Sequence, residues 1–329
     1  MLIALLVLLA PTLAAAEPIE LKLAFFSSDR TYLYTTGVQP FVDAINASGE
    51  GRLHITVYFS GALGNDLAHQ TKLLRDGTAD IAYIVQPYEP QQFPDSRLIE
   101  LPGLYRDARE ATRVFSALVA RGQMRGFDDF HVIGAFAGDP EYVHSRPPIG
   151  TLAQLKGKRI RTNNDTEDEI LTRFGAVPTF VPINKVAETI SSGVIDGALA
   201  PPAPIFDFGI ARVAPNHYML PTSSVPLSLL MTRKRFDSLP PDAQALIRKF
   251  GGDRFIETYI RTNEAATAAA MARLKTDPHR TVVFPSAADR KTADAVFASV
   301  VDAYAIHDPH NLQLVVAARE ILASLRDGK

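Results

Sequence analysis

Apolar and polar positions change period in a regular order along the first hundred residues of the chain. Short apolar runs predict strands at 19–26, 53–58 and 79–85, and amphipathic stretches predict helices at 34–48 and 65–76. This order of strand, helix, strand, helix and strand indicates a parallel sheet with helices on both faces. Ligands of such sheets bind beyond the carboxyl ends of the strands, so residues 27–31 and 85–88 are expected to line a crevice.

A second set of strands is predicted farther along the chain. The expected strands are 132–136, 143–146, 159–161, 179–181 and 227–231. A helical pattern then runs from 241 to about 275 and is weakened only at Gly251-Gly252. A continuous helix of that length would extend about 50 Å, which is enough to lie across two domains. The charged, alanine-rich segment after Thr281 predicts two closing helices.

These patterns together predict an α/β protein with two domains, each a mixed or parallel sheet flanked by helices. A chain of 329 residues is long enough for two such domains. We assign residues 17–139 and 226–262 to domain I, and residues 140–225 and 263–329 to domain II. The ligand cleft is expected between them, with the long helix spanning both domains.

The N-terminus is typical of a secretory signal peptide. Leu2–Leu13 is an apolar run too short to span a bilayer comfortably, and Ala14–Ala16 supplies the small residues that signal peptidase requires. No Lys or Arg precedes this run, and the alternative is a buried N-terminal helix. Pro18 and the alternating residues after it begin a strand at once, which favours cleavage after Ala16. No later stretch approaches the ~20 apolar residues of a transmembrane helix, so we expect a periplasmic mature chain that is not itself membrane-embedded.

Composition excludes several classes of protein. The net charge is −2 and no long basic run occurs, so nucleic-acid binding, which needs a concentrated positive face, is not expected. The chain has no cysteine, which excludes disulfides and thiolate metal sites and is compatible with an oxidising compartment. The 8 histidines show no tight ligand spacing such as H-E-x-x-H, so we expect no catalytic metal and no cofactor.

The segment from Leu155 to Pro202 carries the most specific motifs. It reads L-K-G-K-R-I-R, then G-A-V-P, then S-S-G-V-I-D-G-A-L-A-P-P, and it follows an earlier G-A-L-G-N-D and L-L-R-D-G-T-A-D-I-A. In this order the motifs resemble those of the solute-binding proteins of tripartite ATP-independent periplasmic (TRAP) transporters, over nearly the whole mature chain. The resemblance implies a two-domain binding protein that delivers an organic acid to a permease with a small and a large membrane subunit.

The resemblance also implies which residues contact the ligand. Arg161 falls at the position of the family's central carboxylate-binding arginine, and its planar fork suits a carboxylate. Ala200 stands where many members have an asparagine, and Glu141 lies in the segment where a second arginine is usual. The remaining expected contacts are Ile183 at a helix entry, Val85 and Gln86 in a crossing loop, and Ser27 and Tyr32 after the first strand.

The two departures from the family remove polar groups from the expected pocket. A buried polar group without a partner costs about 1 to 3 kcal/mol, so the pocket should accept a ligand with fewer charges or hydroxyls. We expect a monocarboxylate with an apolar or aromatic body, or a small 2-oxo acid, and Phe25, Phe26 and Phe180 are candidate walls. The aromatic residues have an alternative role as plain core.

Two other functions are compatible with such a cleft. A sensory protein would present its loaded form to a receptor or kinase. A periplasmic hydrolase or isomerase would alter the bound acid, although the sequence has no G-x-S-x-G elbow and no phosphate loop. The acidic cluster 165–169 is better explained by its place in the first turn of a helix, so no catalytic residue is predicted.

Overall fold

A computed structural model of the chain describes residues 18–49 and 51–328. The predicted signal peptide, residues 1–16, therefore lies outside the described residues. In the described part the strands are β1 (Ile19–Ala24), β2 (Leu53–Tyr58), β3 (Ile81–Val85), β4 (Phe130–Ala137), β5 (Tyr142–Ser145), β6 (Arg159–Thr162), β7 (Val177–Phe180), β8 (Gly197–Ala200), β9 (Asn216–Tyr218), β10 (Pro226–Thr232) and β11 (Thr281–Val283).

The helices surround these strands. They are α1 (Gln39–Ser48), α2 (Gln70–Arg75), α3 (Arg97–Glu100), α4 (Ala108–Ala120), α5 (Asp165–Arg173), α6 (Val186–Ser191), α7 (Pro204–Asp207), α8 (Ile210–Val213), α9 (Arg233–Asp237), α10 (Pro241–Phe250), α11 (Asp253–Thr276), α12 (Ala287–His307) and α13 (Pro309–Arg326). A π-helical turn, Tyr34–Val38, precedes α1, and short 3₁₀ turns include Gln86–Tyr88 and Ile183–Lys185.

The strands form two mixed sheets, as the sequence predicts. The first sheet has the order β2-β1-β3-β10-β4, in which β1 is parallel to β2 and β3 while β10 is antiparallel to β3 and β4. The second sheet has the order β11-β9-β5-β8-β6-β7, in which β6 is parallel to β7 and β8. All five side chains of β3 are buried, which explains its continuous apolar sequence.

The chain passes from the first sheet to the second between β4 and β5, and it returns between β9 and β10. These crossings fall at residues 138–141 and 219–225. At the C-terminal end α12 packs on α5, whereas α13 packs on α4. The domain boundaries remain a prediction. The first-sheet half and the second-sheet half are the two sheets, each with the helices that pack on it.

The long helix predicted from 241 to 275 is broken, so the expectation of one continuous helix is wrong. Gly252 has φ +56° and ψ −135°, a backbone conformation that residues other than glycine rarely adopt. Its N–H donates to the carbonyl of Ile133 at 2.9 Å. The chain therefore leaves α10 at Gly251, and the separate helix α11 has 24 residues. Its length is about 36 Å at 1.5 Å per residue.

Helix α11 still spans both halves of the molecule. Its first turns pack Phe255 and Tyr259 into the core on one face of the first sheet. Leu274, near its other end, packs into the core beside the second sheet. Gly134 of β4 permits the close crossing, because a Cβ there would lie 2.4 Å from the ring of Phe255. The prediction of a spanning helix is thus confirmed in a shorter form.

Candidate ligand-binding site

A cavity lies between the two sheets, where the carboxyl ends of β3 and β6 face each other. Its empty space is about 510 Å³ including the opening to solvent. The first-sheet wall consists of Phe26, Tyr32, Leu33, Val85, Tyr88, Gly138, Val225 and Leu227. The second-sheet wall consists of Glu141, Arg161, Asn163, Ile183, Pro201, Pro204 and Phe208.

Arg161 projects from β6 into the cavity, although the residue is only 1% exposed. Its Nε donates to the carbonyl of Val181 at 2.8 Å, and Nη1 donates to the carbonyl of Leu199 at 2.8 Å. Both carbonyls belong to the backbone of the second-sheet half, so the guanidinium plane is fixed before any ligand arrives. Nη2 donates to the hydroxyl of Tyr88 at 3.2 Å.

Arg161 retains N–H groups that can bind a carboxylate. A guanidinium has five N–H groups, and the three hydrogen bonds use one each on Nε, Nη1 and Nη2. The two N–H groups that remain belong to Nη1 and Nη2, the pair that holds a carboxylate end-on with two parallel hydrogen bonds. The buried position strengthens such bonds, because water does not compete with them.

Glu141 stands beside Arg161 in the same wall. Its Oε1 lies 3.8 Å from Arg161 Nη1 and accepts a hydrogen bond from Asn163 Nδ2 at 3.0 Å. Glu167 of α5 lies behind this pair and accepts hydrogen bonds from the Asn163 N–H and from Ser223 Oγ, each at 2.8 Å. Arg161, Glu141 and Asn163 thus make one polar corner in a cavity whose other lining is mainly apolar.

Burial raises the pKa of Glu141 well above its usual range, and the neighbouring Glu167 raises it further. Arg161 and Asn163 act in the opposite direction but do not cancel these effects. Glu141 is therefore protonated more readily than an exposed glutamate, and a protonated Glu141 does not compete with a ligand carboxylate for Arg161. The charge that the cavity offers to an anion is then that of the guanidinium.

Hydrogen bonds and a ring contact join the two walls across the cavity. The Tyr88 hydroxyl, which follows β3, bonds both Arg161 Nη2 and the backbone N–H of Ile183, each at 3.2 Å. The Tyr32 N–H donates to Asp207 Oδ2 at 2.7 Å. The rings of Phe26 and Phe208 stack with an interplanar angle of 4° and a centroid distance of 6.4 Å. The described conformation is therefore one in which the two halves are closed on each other.

The cavity brings together five of the eight residues predicted as ligand contacts. They are Arg161, Ile183, Tyr32, Val85 and Glu141. Their contact with a ligand remains a prediction, and the same holds for the three residues that lie outside the lining.

Those three residues have other neighbours. Ala200 is fully buried in the core of the second-sheet half, and its carbonyl lies 3.1 Å from His144 Nε2. Gln86 is fully buried and donates to Ser228 Oγ at 3.2 Å. The carbonyl of Ser27 accepts a hydrogen bond from the Ser60 N–H at 2.8 Å.

The candidate aromatic walls divide between the cavity and the core. Phe26 lines the cavity, Phe25 is core, and Phe180 is 56% exposed and packs edge-on against Tyr88. Sequence reasoning did not select Phe208 or Asn163. Asn163 had a usable signal, because it comes two residues after Arg161 at the carboxyl end of the same strand.

Within the described residues, no group of three or more histidine, aspartate or glutamate side chains is arranged to hold a metal ion. None of the helices in residues 18–49 and 51–328 is both long and apolar enough to cross a membrane.

Comparison with known proteins shows what this architecture is similar to. A solute-binding protein of Sulfitobacter sp. strain NAS-14.1 is 26% identical over 228 residues, which cover 68% of this chain and 69% of that protein. A TRAP solute-binding protein from Rhodoferax ferrireducens T118, in complex with copurified benzoate, has a TM-score of 0.86 and 22% identity, covering 93% of this chain and 98% of that one. A TRAP periplasmic solute-binding protein from Sulfitobacter sp. NAS-14.1 with bound β-D-galacturonate has a TM-score of 0.80 and 19% identity, covering 92% and 100%.

The structural matches confirm the predicted two-domain fold class. The family described as bacterial extracellular solute-binding protein, family 7, matches residues 26–308, which is most of the chain. The chain therefore belongs to this family, the DctP-type solute-binding proteins of TRAP transporters.

Proposed function

We propose that the protein captures a small organic acid as its carboxylate and delivers it to the small and large membrane subunits of a TRAP permease. The observation that carries this proposal is Arg161, a buried guanidinium that two backbone carbonyls orient toward a cavity between two sheets. An arginine with this burial and two N–H groups left for a ligand is suited to holding a carboxylate. Members of this family are periplasmic, which supports export of the mature chain.

The lining of the cavity favours an acid with an apolar body. Apart from the polar corner around Arg161, the walls carry Phe26, Phe208, Val85 and other apolar side chains. A sugar acid such as galacturonate brings several hydroxyls, each of which needs a hydrogen-bonding partner when it is buried. A flat or aliphatic acid, of which the benzoate of the Rhodoferax protein is an example, needs fewer such partners. The ligand class proposed here is therefore a monocarboxylate with an aromatic or aliphatic body.

Closure of the two halves is the motion that this proposal requires. A ligand held by Arg161 on the second-sheet wall also contacts Phe26 and Val85 on the first-sheet wall, so it binds the closed form better than an open form. Small-angle X-ray scattering should then show a smaller radius of gyration when ligand is saturating. An unchanged radius contradicts the closure mechanism.

The first experiment is a thermal-shift screen of small carboxylates with the mature chain. A ligand at a hundred times its Kd stabilises the folded state by about 2.7 kcal/mol, a shift that is readily measured. Mass spectrometry of the recovered ligand then separates binding from catalysis. An acid that is returned unchanged after long incubation supports the transport role, whereas a converted acid supports a hydrolase or isomerase.

The decisive test replaces Arg161. Arg161→Ala should remove detectable binding in isothermal titration, because loss of the partner of a buried carboxylate costs roughly 3 kcal/mol or more, over a hundredfold in Kd. Arg161→Lys keeps the charge but loses the planar fork, so it should weaken binding strongly.

Arg159 of the same strand provides a matched control. Its side chain is 45% exposed and forms a surface ion pair with Asp196 at 3.1 Å. Arg159→Ala should leave Kd unchanged and have little effect on stability, because an exposed ion pair contributes little. Circular dichroism checks that each variant is folded, and unchanged affinity in a folded Arg161→Ala variant rejects the proposed site.

A further inference from the structure

Two buried carboxyl groups lie together beside the Arg161 guanidinium. Glu141 and Glu167 are 1% and 0% exposed, and a side-chain hydrogen bond joins their carboxyl groups. An ionised carboxylate only accepts hydrogen bonds, so two carboxyl groups bond to each other only when one of them carries a proton. We call them the carboxyl pair. The pair therefore holds at least one proton, and with one proton it has one negative charge.

Neutral donors hold the carboxyl pair in place. Asn163 Nδ2 donates to Glu141 Oε1 at 3.0 Å, and the Asn163 N–H donates to Glu167 Oε2 at 2.8 Å. Ser223, in the crossing 219–225, donates from Oγ to Glu167 Oε1 at 2.8 Å. These contacts position the two carboxyl groups without supplying positive charge.

Arg161 is the cation that contacts the carboxyl pair. Its Nη1 lies 3.8 Å from Glu141 Oε1, and both side chains are buried. Arg97 of α3 lies on the far side of the pair, but its side chain is 38% exposed and forms an ion pair with Glu169 at 3.1 Å. The other ionisable groups around the pair in the described part of the chain are acidic, and they are Tyr88 after β3, Glu100 of α3, and Asp165 and Asp168 of α5.

The charges in this region balance before the acid is captured. The positive charge of Arg161 then offsets the single negative charge of the carboxyl pair. A ligand carboxylate on Arg161 adds a second negative charge to the same buried region, where an uncompensated charge is costly. A second proton on the carboxyl pair removes the excess, because the pair is then neutral.

We propose that capture of the acid is coupled to the uptake of one proton from solvent by the carboxyl pair. The proton forms an O–H bond on the carboxylate that remains in the pair, and the ligand carboxylate replaces that group as the partner of Arg161. No other covalent bond forms or breaks. This inference rests on the proposed function, because it requires an anion on the Arg161 guanidinium.

The electrostatics of Glu141 give the direction of the pH dependence. Burial and then Glu167 raise the pKa of Glu141 well above its usual range. A ligand carboxylate nearby raises this pKa further, since a like charge disfavours the ionised form, and closure acts in the same direction by excluding water. The complex therefore binds more protons than the free protein, so affinity should fall as pH rises.

The test is isothermal titration with benzoate and with hexanoate, an aromatic and an aliphatic monocarboxylate. Both stay ionised above about pH 6, because an ordinary carboxyl group titrates at about pH 4. Titrations in PIPES and in Tris at the same neutral pH detect proton uptake, because Tris absorbs more heat when it releases a proton. Binding should be less exothermic in Tris, and Kd should rise by up to about tenfold per pH unit between about pH 7 and 9.

The outcomes separate this inference from the proposed function. Equal heats in the two buffers, or a Kd that does not change with pH, overturn the inference. The proposed function stands in that case if Arg161→Ala abolishes binding. Failure of both acids to bind the wild-type chain overturns the proposed ligand class and this inference with it.

Variants assign the proton to the carboxyl pair. The double variant Glu141→Gln/Glu167→Gln keeps hydrogen-bonding groups of the same shape but does not titrate, so the heats in the two buffers should become equal and Kd should vary by less than about twofold with pH. Glu141→Gln alone should lower the uptake, and it serves if the double variant does not fold. Glu188→Gln is the control, because this side chain of α6 is 77% exposed, and it should keep the wild-type uptake. Uptake that persists undiminished in a folded variant of the pair, or that is lost in Glu188→Gln, overturns the inference.

Discussion

The two walls of the cavity differ in the kind of recognition that they offer. The second-sheet wall holds the Arg161 guanidinium, the Glu141 carboxyl group and the Asn163 amide. The first-sheet wall is apolar except for the hydroxyls of Tyr32 and Tyr88. Recognition of a carboxylate is therefore built into one half of the molecule, while the other half supplies shape and removes water when it closes.

The physical reason for this division is the cost of burying charge. A buried guanidinium must have its hydrogen bonds in place, and Arg161 obtains two of them from carbonyls of its own half. Those two hydrogen bonds do not depend on closure, so the guanidinium does not have to be repositioned at each binding event. The first-sheet wall contributes only contacts that form on closure, which suits a lid.

Two buried histidines of the second sheet give the largest expected effect. His144 of β5 and His217 of β9 lie in the second sheet with their Nδ1 atoms 2.7 Å apart. The Ala200 carbonyl accepts from His144 Nε2, so His144 Nδ1 is the acceptor and His217 Nδ1 the donor. Burial, together with the neighbouring His217 and Arg280, lowers the pKa of His144 to about 3, and burial together with Arg280 lowers that of His217 to about 4.

The first prediction is acid sensitivity of this half. The folded state keeps both histidines neutral, whereas the unfolded chain protonates them below about pH 6.5. The contribution of these two histidines to the free energy of unfolding should therefore fall as pH drops from about 6.5 to about 4, by on the order of a few kcal/mol. Denaturant titrations at several pH values measure this slope.

Two variants test the assignment to the buried pair. His217→Asn places an amide near the position of Nδ1 and removes one titrating group, so the slope between pH 6.5 and 4 should decrease. His54→Gln changes an exposed histidine of β2 and should leave the slope as it is in the wild type. An unchanged slope in His217→Asn contradicts the assignment.

The sequence predicted the second-sheet wall better than the first-sheet wall. Arg161 was identified through the resemblance of the motifs around it, because an arginine on a strand is by itself more often the partner in a surface ion pair. The sequence indicated only a weak point in the helical pattern at Gly251-Gly252. The break itself could not be predicted, because the hydrogen bond from Gly252 to Ile133 joins residues that are distant in sequence. Contacts across the cavity, such as that of Tyr88 with Ile183, depend on how the two halves meet, and no local pattern encodes this.

The second prediction concerns Tyr88, the main link between the walls. Tyr88→Phe removes a hydroxyl that bonds both Arg161 and Ile183. Two lost hydrogen bonds, each worth about 0.5–1.5 kcal/mol, should weaken ligand binding roughly tenfold, because only the closed form contains them. Stability of the ligand-free protein should change less than affinity, and titration calorimetry with denaturant unfolding measures both.

Tyr83 provides the control for Tyr88→Phe. Its ring is buried in the first-sheet half, and its hydroxyl has no hydrogen-bonding partner among the described residues. Tyr83→Phe removes an unsatisfied polar atom, so it should leave affinity unchanged and stability equal or slightly higher. If Tyr83→Phe weakens binding as much as Tyr88→Phe does, the effect is not specific to the link between the walls.

The smallest effect is expected at the second link, from the Tyr32 N–H to Asp207 Oδ2 at 2.7 Å. Burial raises the pKa of Asp207 while the hydrogen bond from Tyr32 lowers it, so closure both strengthens this contact and desolvates the carboxylate. Burial has the larger effect and the pKa is raised on balance, so the contact adds little to closure, and Asp207→Ala should weaken binding only about two- to fivefold. Asp207→Asn keeps an acceptor without the charge and should bind close to wild type. A loss in Asp207→Ala as large as that in Arg161→Ala would mean that the contact between the two walls, and not the polar corner alone, determines recognition of the acid.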